Sequence, residues 1–61
     1  MNLLNIRKMA KILVTDDLKE NHVLIKMGLR NKPFELMHVY SGEEALEKLN
    51  EFKPDLILMD I

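Results

Sequence analysis

Lys11-Ile12-Leu13-Val14-Thr15-Asp16-Asp17 and Leu56-Ile57-Leu58-Met59-Asp60 decide how this chain folds. In both stretches apolar residues follow one another without alternation, the pattern of a parallel strand covered on both faces, and each run stops at a carboxylate. Between them, Asp17 and Glu20 have the spacing of a capping box and open a helix. Its apolar members are Val23, Leu24, Ile25, Met27 and Leu29. Gly28 costs that helix about 1 kcal/mol against alanine, which points to close packing on the sheet. Asn31-Lys32-Pro33 ends it, and a second strand runs from Phe34 to Val39, with Glu35 and His38 marking an outer position. Ser41 and Glu44 form a second capping box, for a helix carrying Ala45, Leu46, Leu49 and Phe52 and stopping before Pro54.

Strand, helix, strand, helix, strand with short connections is an α/β arrangement of parallel strands joined by crossovers. Ligands of such sheets bind beyond the carboxyl ends of the strands, where the strand order reverses. With the first strand between the other two (order 2-1-3), the ends of strands one and three are neighbours at about 4.8 Å, and Asp16, Asp17 and Asp60 converge. Three carboxylates that close raise one another's pKa unless a cation shares the pocket. Oxygen ligands favour a hard ion, so Mg²⁺ is the expected cofactor, with Asp16, Asp17 and Asp60 as its ligands. Asp60 is also the candidate nucleophile, since a carboxylate can accept a phosphoryl group while a metal neutralises the transferring oxygens. Taken singly, Asp17 is a helix cap, Asp16 a loop residue and Asp60 a turn former. Capping does not require all three together.

The 61 residues, 48% hydrophobic and 31% charged, suit one domain. A body over residues 11–61 follows an amino-terminal arm or short helix over residues 1–10. A chain this short buries only about 60% of the surface that its unfolded form exposes. Without cysteine, neither a disulfide nor a thiolate zinc site is open to it. No apolar stretch is long enough for a signal peptide or a membrane span, which makes cytoplasmic the expected location. The net charge of −1 and three aromatics without interleaved basic residues argue against nucleic acid as a partner. Arg7, Lys8 and Lys11 read as solvated surface, His22 and His38 as isolated surface or helix residues, and Tyr40 as a strand-end residue with its hydroxyl in water.

Lys11-Ile12-Leu13-Val14-Thr15-Asp16-Asp17 resembles the first strand and acidic pair of the response-regulator receiver domain of two-component signalling. Pro54-Asp55-Leu56-Ile57-Leu58-Met59-Asp60-Ile61 resembles that family's third strand and phosphoacceptor, and Asn21 and Ser41-Gly42-Glu43-Glu44-Ala45-Leu46 are similar to family patterns too. The resemblance implies a flavodoxin-like doubly wound parallel sheet, truncated here to β-α-β-α-β, with residues 11–61 as the first half of a receiver. It implies a response-regulator module of a phosphorelay, in which Asp60 accepts a phosphoryl group from a sensor histidine kinase or a phosphotransfer protein. Asp17 would ligate Mg²⁺ directly and Asp16 through water. Such a domain is a phosphoacceptor rather than a conventional enzyme.

The family's switch Ser/Thr after strand four and its phosphate-contacting lysine after strand five have no counterpart in these residues. Weak or absent phosphotransfer by the isolated chain is the expectation. Bare faces on the third strand predict a homodimer formed through the exposed sheet. The alternative is a non-catalytic interaction or dimerisation module using the same edge. A nucleotide- or flavin-binding module is disfavoured, because Asp16-Asp17-Leu18-Lys19 stands where a glycine-rich phosphate loop would be.

Overall fold

The computed structural model describes residues 9–60. Most of the expected amino-terminal arm, residues 1–8, lies outside them, as does Ile61, and Ala10 already belongs to the first strand. The elements are β1 (Ala10–Thr15), α1 (Lys19–Leu29), β2 (Phe34–Val39), α2 (Gly42–Phe52) and β3 (Leu56–Met59). The three strands form one parallel sheet in the order β2-β1-β3. This is the first β-α-β-α-β portion of a flavodoxin-like sheet, as the apolar runs required.

Register places the side chains. Leu13 pairs with Met37 and Ile57, and Thr15 with Val39 and Met59, so with a period of two these six share one face. On that face α2 packs over β1 and β2. Leu13, Val39, Ala45 and Phe52 form the core there, with Met37 and Leu49 against it, and Leu13 is 0% exposed. Ile12, Val14, Leu36, His38, Leu56 and Leu58 take the opposite face, where α1 packs chiefly on β2. Neither helix covers β3, all four of whose residues are exposed, from 37% at Leu58 to 52% at Leu56 and Met59.

Local chemistry explains the helix ends. Ser41 Oγ accepts from Glu44 N–H at 3.1 Å, and Glu44 Oε1 reaches back to accept from Tyr40 N–H at 3.0 Å, one residue earlier than a standard box. At the other end Lys53 turns left-handed (φ 52°) and its N–H returns to Leu49 O at 3.0 Å, freeing the chain for Pro54. Asn31, with φ 70°, makes the turn after α1, a conformation that asparagine tolerates better than most residues.

Four expectations need correction. Asp17 does not cap α1, whose N-cap residue is Leu18, with no side-chain cap bond. Leu24 and Leu46 are 64% and 69% exposed, because His22, Ile25 and Leu29 form the inward stripe of α1, and Ala45, Leu49 and Phe52 that of α2. Gly28 packs on nothing, since a Cβ there would meet no atom within 4 Å. Lys11 is not plain surface: its backbone exchanges bonds with Asp55 (2.8 Å to Oδ2, 2.7 Å from Asp55 N–H), and its ammonium donates to Phe52 O at 3.2 Å, 5.3 Å from the Phe52 ring centroid. That lysine ties the start of β1 to the end of α2, where a cation suits the helix dipole.

Candidate functional site

Both ladders of β1 run on by one bond past its last residue. Asp16 N–H donates to Val39 O at 3.2 Å, and Asp60 N–H donates to Thr15 O at 3.1 Å. These two bonds hold Asp16 and Asp60 side by side at the carboxyl end of the sheet. Asp16 is only 4% exposed, and both of its oxygens are engaged: Oδ1 accepts from Leu18 N–H and Oδ2 from Asn21 Nδ2, each at 2.8 Å. The bond to Leu18 closes an Asx turn, which starts α1 without a side-chain cap on the helix itself.

Those bonds favour the carboxylate form. The Leu18 N–H first and the Asn21 amide second hold the Asp16 carboxyl below its ordinary value of 3.8; burial opposes them, and His22 and then Asp60 lower it further. Asp60 itself is exposed. The two aspartates, with Val14, Thr15, Ile25, Leu58 and Met59, line a cleft of about 310 Å³. Asp17 is exposed on the turn and does not line it, so two of the three expected carboxylates share the cleft.

Among the described residues no three of His, Cys, Asp and Glu are gathered closely enough to hold a metal ion. Magnesium does not require three. It is commonly bound by one or two carboxylates and completes its octahedron with water and phosphate oxygens. Neighbouring carboxylates, one of them held ionised, also gain from a shared cation. The donor chemistry of Asp16 and Asp60 therefore fits Mg²⁺.

The histidines are not isolated. His22 is buried, its Nε2 lies 2.8 Å from Asp16 O, and its Nδ1 lies 2.6 Å from His38 Nδ1. A carbonyl only accepts, so Nε2 of His22 carries the proton and, in the neutral ring, Nδ1 accepts from His38. Burial first, then the charges of His22 and Lys26, push His38 below its ordinary 6.5. The His22 ring meets that of His38 edge-on (centroids 4.7 Å apart, planes at 76°) and leans on Tyr40 (4.6 Å, 58°). Tyr40 thus has a packed ring, which its expected strand-end position did not convey. Sequence spacing missed the pair because its members stand 16 residues apart. The available signal was the position of His22 three and seven residues before Ile25 and Leu29, on the inward stripe of α1.

Comparison with known proteins finds relatives of one kind. Over 51 residues, 84% of this chain, it is 39% identical to the alkaline phosphatase synthesis transcriptional regulatory protein PhoP of Bacillus subtilis. It is 37% identical over 59 residues to the response regulator GacA of Pseudomonas syringae, and 35% over 54 residues to the chemotaxis protein CheY of Listeria monocytogenes. These relatives are response regulators, matched over 84–87% of this chain. The chain spans 21%, 26% and 45% of those three relatives. No family model matches the chain, and no solved structure matches it significantly. Among the described residues, no helix is long and apolar enough to cross a membrane.

Proposed function

We propose that this receiver module accepts a phosphoryl group on Asp60 with the help of Mg²⁺. The observation that carries the reading is the pairing of an exposed Asp60 with a buried, ionised Asp16 at the carboxyl ends of β1 and β3. Asp16 and Asp60 would hold the ion, with Asp17 joining from the adjoining turn. When bound, Mg²⁺ offsets the negative charge of the carboxylates and of the incoming phosphoryl oxygens. An Asp60 oxygen attacks phosphorus while the bond to the donor breaks. With a phosphohistidine donor, the electron pair of the broken P–N bond leaves with the imidazole, and an acyl phosphate remains on Asp60. The donor is a sensor histidine kinase or a phosphotransfer protein, by analogy with the response-regulator relatives.

The metal half of this reading is tested by titrating Mg²⁺ into isotope-labelled protein and following the aspartate carboxyl carbons by NMR. Saturable shifts confined to Asp16, Asp17 and Asp60, and lost in Asp60→Asn, are expected. Shifts spread evenly over Glu43, Glu47 and Glu51 would refute it.

A second reading, self-association or partner docking through the sheet edge, has its own observation. Each residue of β3 is exposed and apolar, and Ile57 and Met59 border a groove of about 550 Å³ that continues along Leu46 and Leu49 of α2. Exposed apolar strands of this kind pair readily with another chain. Light scattering at about 100 µM, a concentration chosen to favour weak contacts, should give the mass of two chains, and Ile57→Lys should restore that of one. A single-chain mass for both proteins would dismiss it.

A further inference from the structure

A second cavity, of about 180 Å³, lies between α1 and β2 and is lined by Lys19, His22, Val23, Lys26, His38 and Tyr40. It shares no lining residue with the acidic cleft. Lys19, Val23 and Lys26 recur at helical spacing along one side of α1, while His38 and Tyr40, two apart at the end of β2, face it from the sheet. No carboxylate lines the cavity, and among the described residues neither lysine has a salt-bridge partner. Its field is felt locally, since the Lys26 charge disfavours protonation of His38.

We propose that this cavity binds a small tetrahedral oxyanion of the phosphate class. Two ammonium groups and a phenol supply hydrogen-bond donors without a competing carboxylate, while the ring N–H groups of His22 and His38 are already taken, by Asp16 O and by His22 Nδ1. The volume falls below the roughly 300 Å³ at which pockets for drug-sized ligands begin, which favours a compact anion over a nucleotide. Tyr40 and Val23 give the cavity an apolar wall that raises the weight of each charge. The site stands on its own lining residues and does not depend on phosphotransfer at Asp60. It is nevertheless one residue from the acidic cleft, because His22 bonds the Asp16 carbonyl.

The test is an NMR titration of the full chain with inorganic phosphate, without Mg²⁺ and at constant ionic strength balanced by chloride. We expect saturable shifts at Lys19, His22, His38 and Tyr40 with half-saturation in about the millimolar range, as few solvent-screened charge contacts allow. Lys19→Gln/Lys26→Gln replaces two exposed side chains and should weaken binding at least about tenfold. Acetate, a planar carboxylate of lower charge, should bind at least about tenfold more weakly than phosphate. Shifts that stay linear in phosphate, saturation unchanged in the double variant, or equal binding of acetate would each overturn the proposal.

Discussion

Replacing His22 by leucine should destabilise the fold far more than a surface histidine would. Two losses add. The Asp16 carbonyl, which His22 Nε2 meets at 2.8 Å, would be left buried and unpaired, at a cost of about 1–3 kcal/mol. The ring contact with Tyr40 at 4.6 Å contributes about a further 0.5–1.5 kcal/mol. A combined loss of about 2–4 kcal/mol is a large share of the roughly 3–9 kcal/mol expected for a domain of this size. In a domain of 60–100 residues 1 kcal/mol moves Tm by about 4–8 °C, so thermal unfolding followed by circular dichroism should show a fall of at least about 8 °C. His22→Gln retains a donor near the reach of Nε2 and should recover part of that loss. A leucine variant melting with or above the parent, or a glutamine variant no better than leucine, would refute the role given to this hydrogen bond.

Two further perturbations probe the local chemistry. Ser41→Ala removes the acceptor for Glu44 N–H and should cost about 1 kcal/mol, read as a Tm lower by about 4–8 °C with the sheet unchanged; an unchanged Tm would count against the cap. Asp16 should titrate below 3.8 in carboxyl-detected NMR. Since its folded pKa is lowered, its stabilisation is complete above the unfolded value of 3.8 and is lost as pH falls through the folded value. Asn21→Ala should move that midpoint upward, and a midpoint at or above 3.8 in the parent protein would contradict the bonding described for Asp16.

The fold was legible because its decisive signals are local. Unbroken apolar runs at Ile12–Val14 and Leu56–Met59, the Ser41 cap and Pro54 all act within a few residues, and the strand order follows from them with little freedom. The helix faces were less legible. Leu24 and Leu46 satisfy a helical period as well as Ile25 and Leu49 do, and only the rotation of each helix against the sheet decides which of them is buried. At the site, the acidic ends of β1 and β3 could be read from position alone. Which neighbouring aspartate enters the turn could not: Asp16 can bond Leu18 N–H and Asn21 together, and this leaves Asp17 in solvent. The histidine pair was invisible because its partner lies on another element, and pairwise spacing carries no information about which strand faces a helix.

The most direct measurement is covalent. The chain is incubated with a small phosphoryl donor with and without Mg²⁺, the acyl phosphate is trapped by reduction, and the modified residue is located by mass spectrometry. With these 61 residues, which hold the acceptor and the acidic pair, we expect modification of a small fraction of molecules, dependent on Mg²⁺, confined to Asp60 and absent in Asp60→Asn. Modification at another residue, modification indifferent to Mg²⁺, or stoichiometric modification would contradict the account.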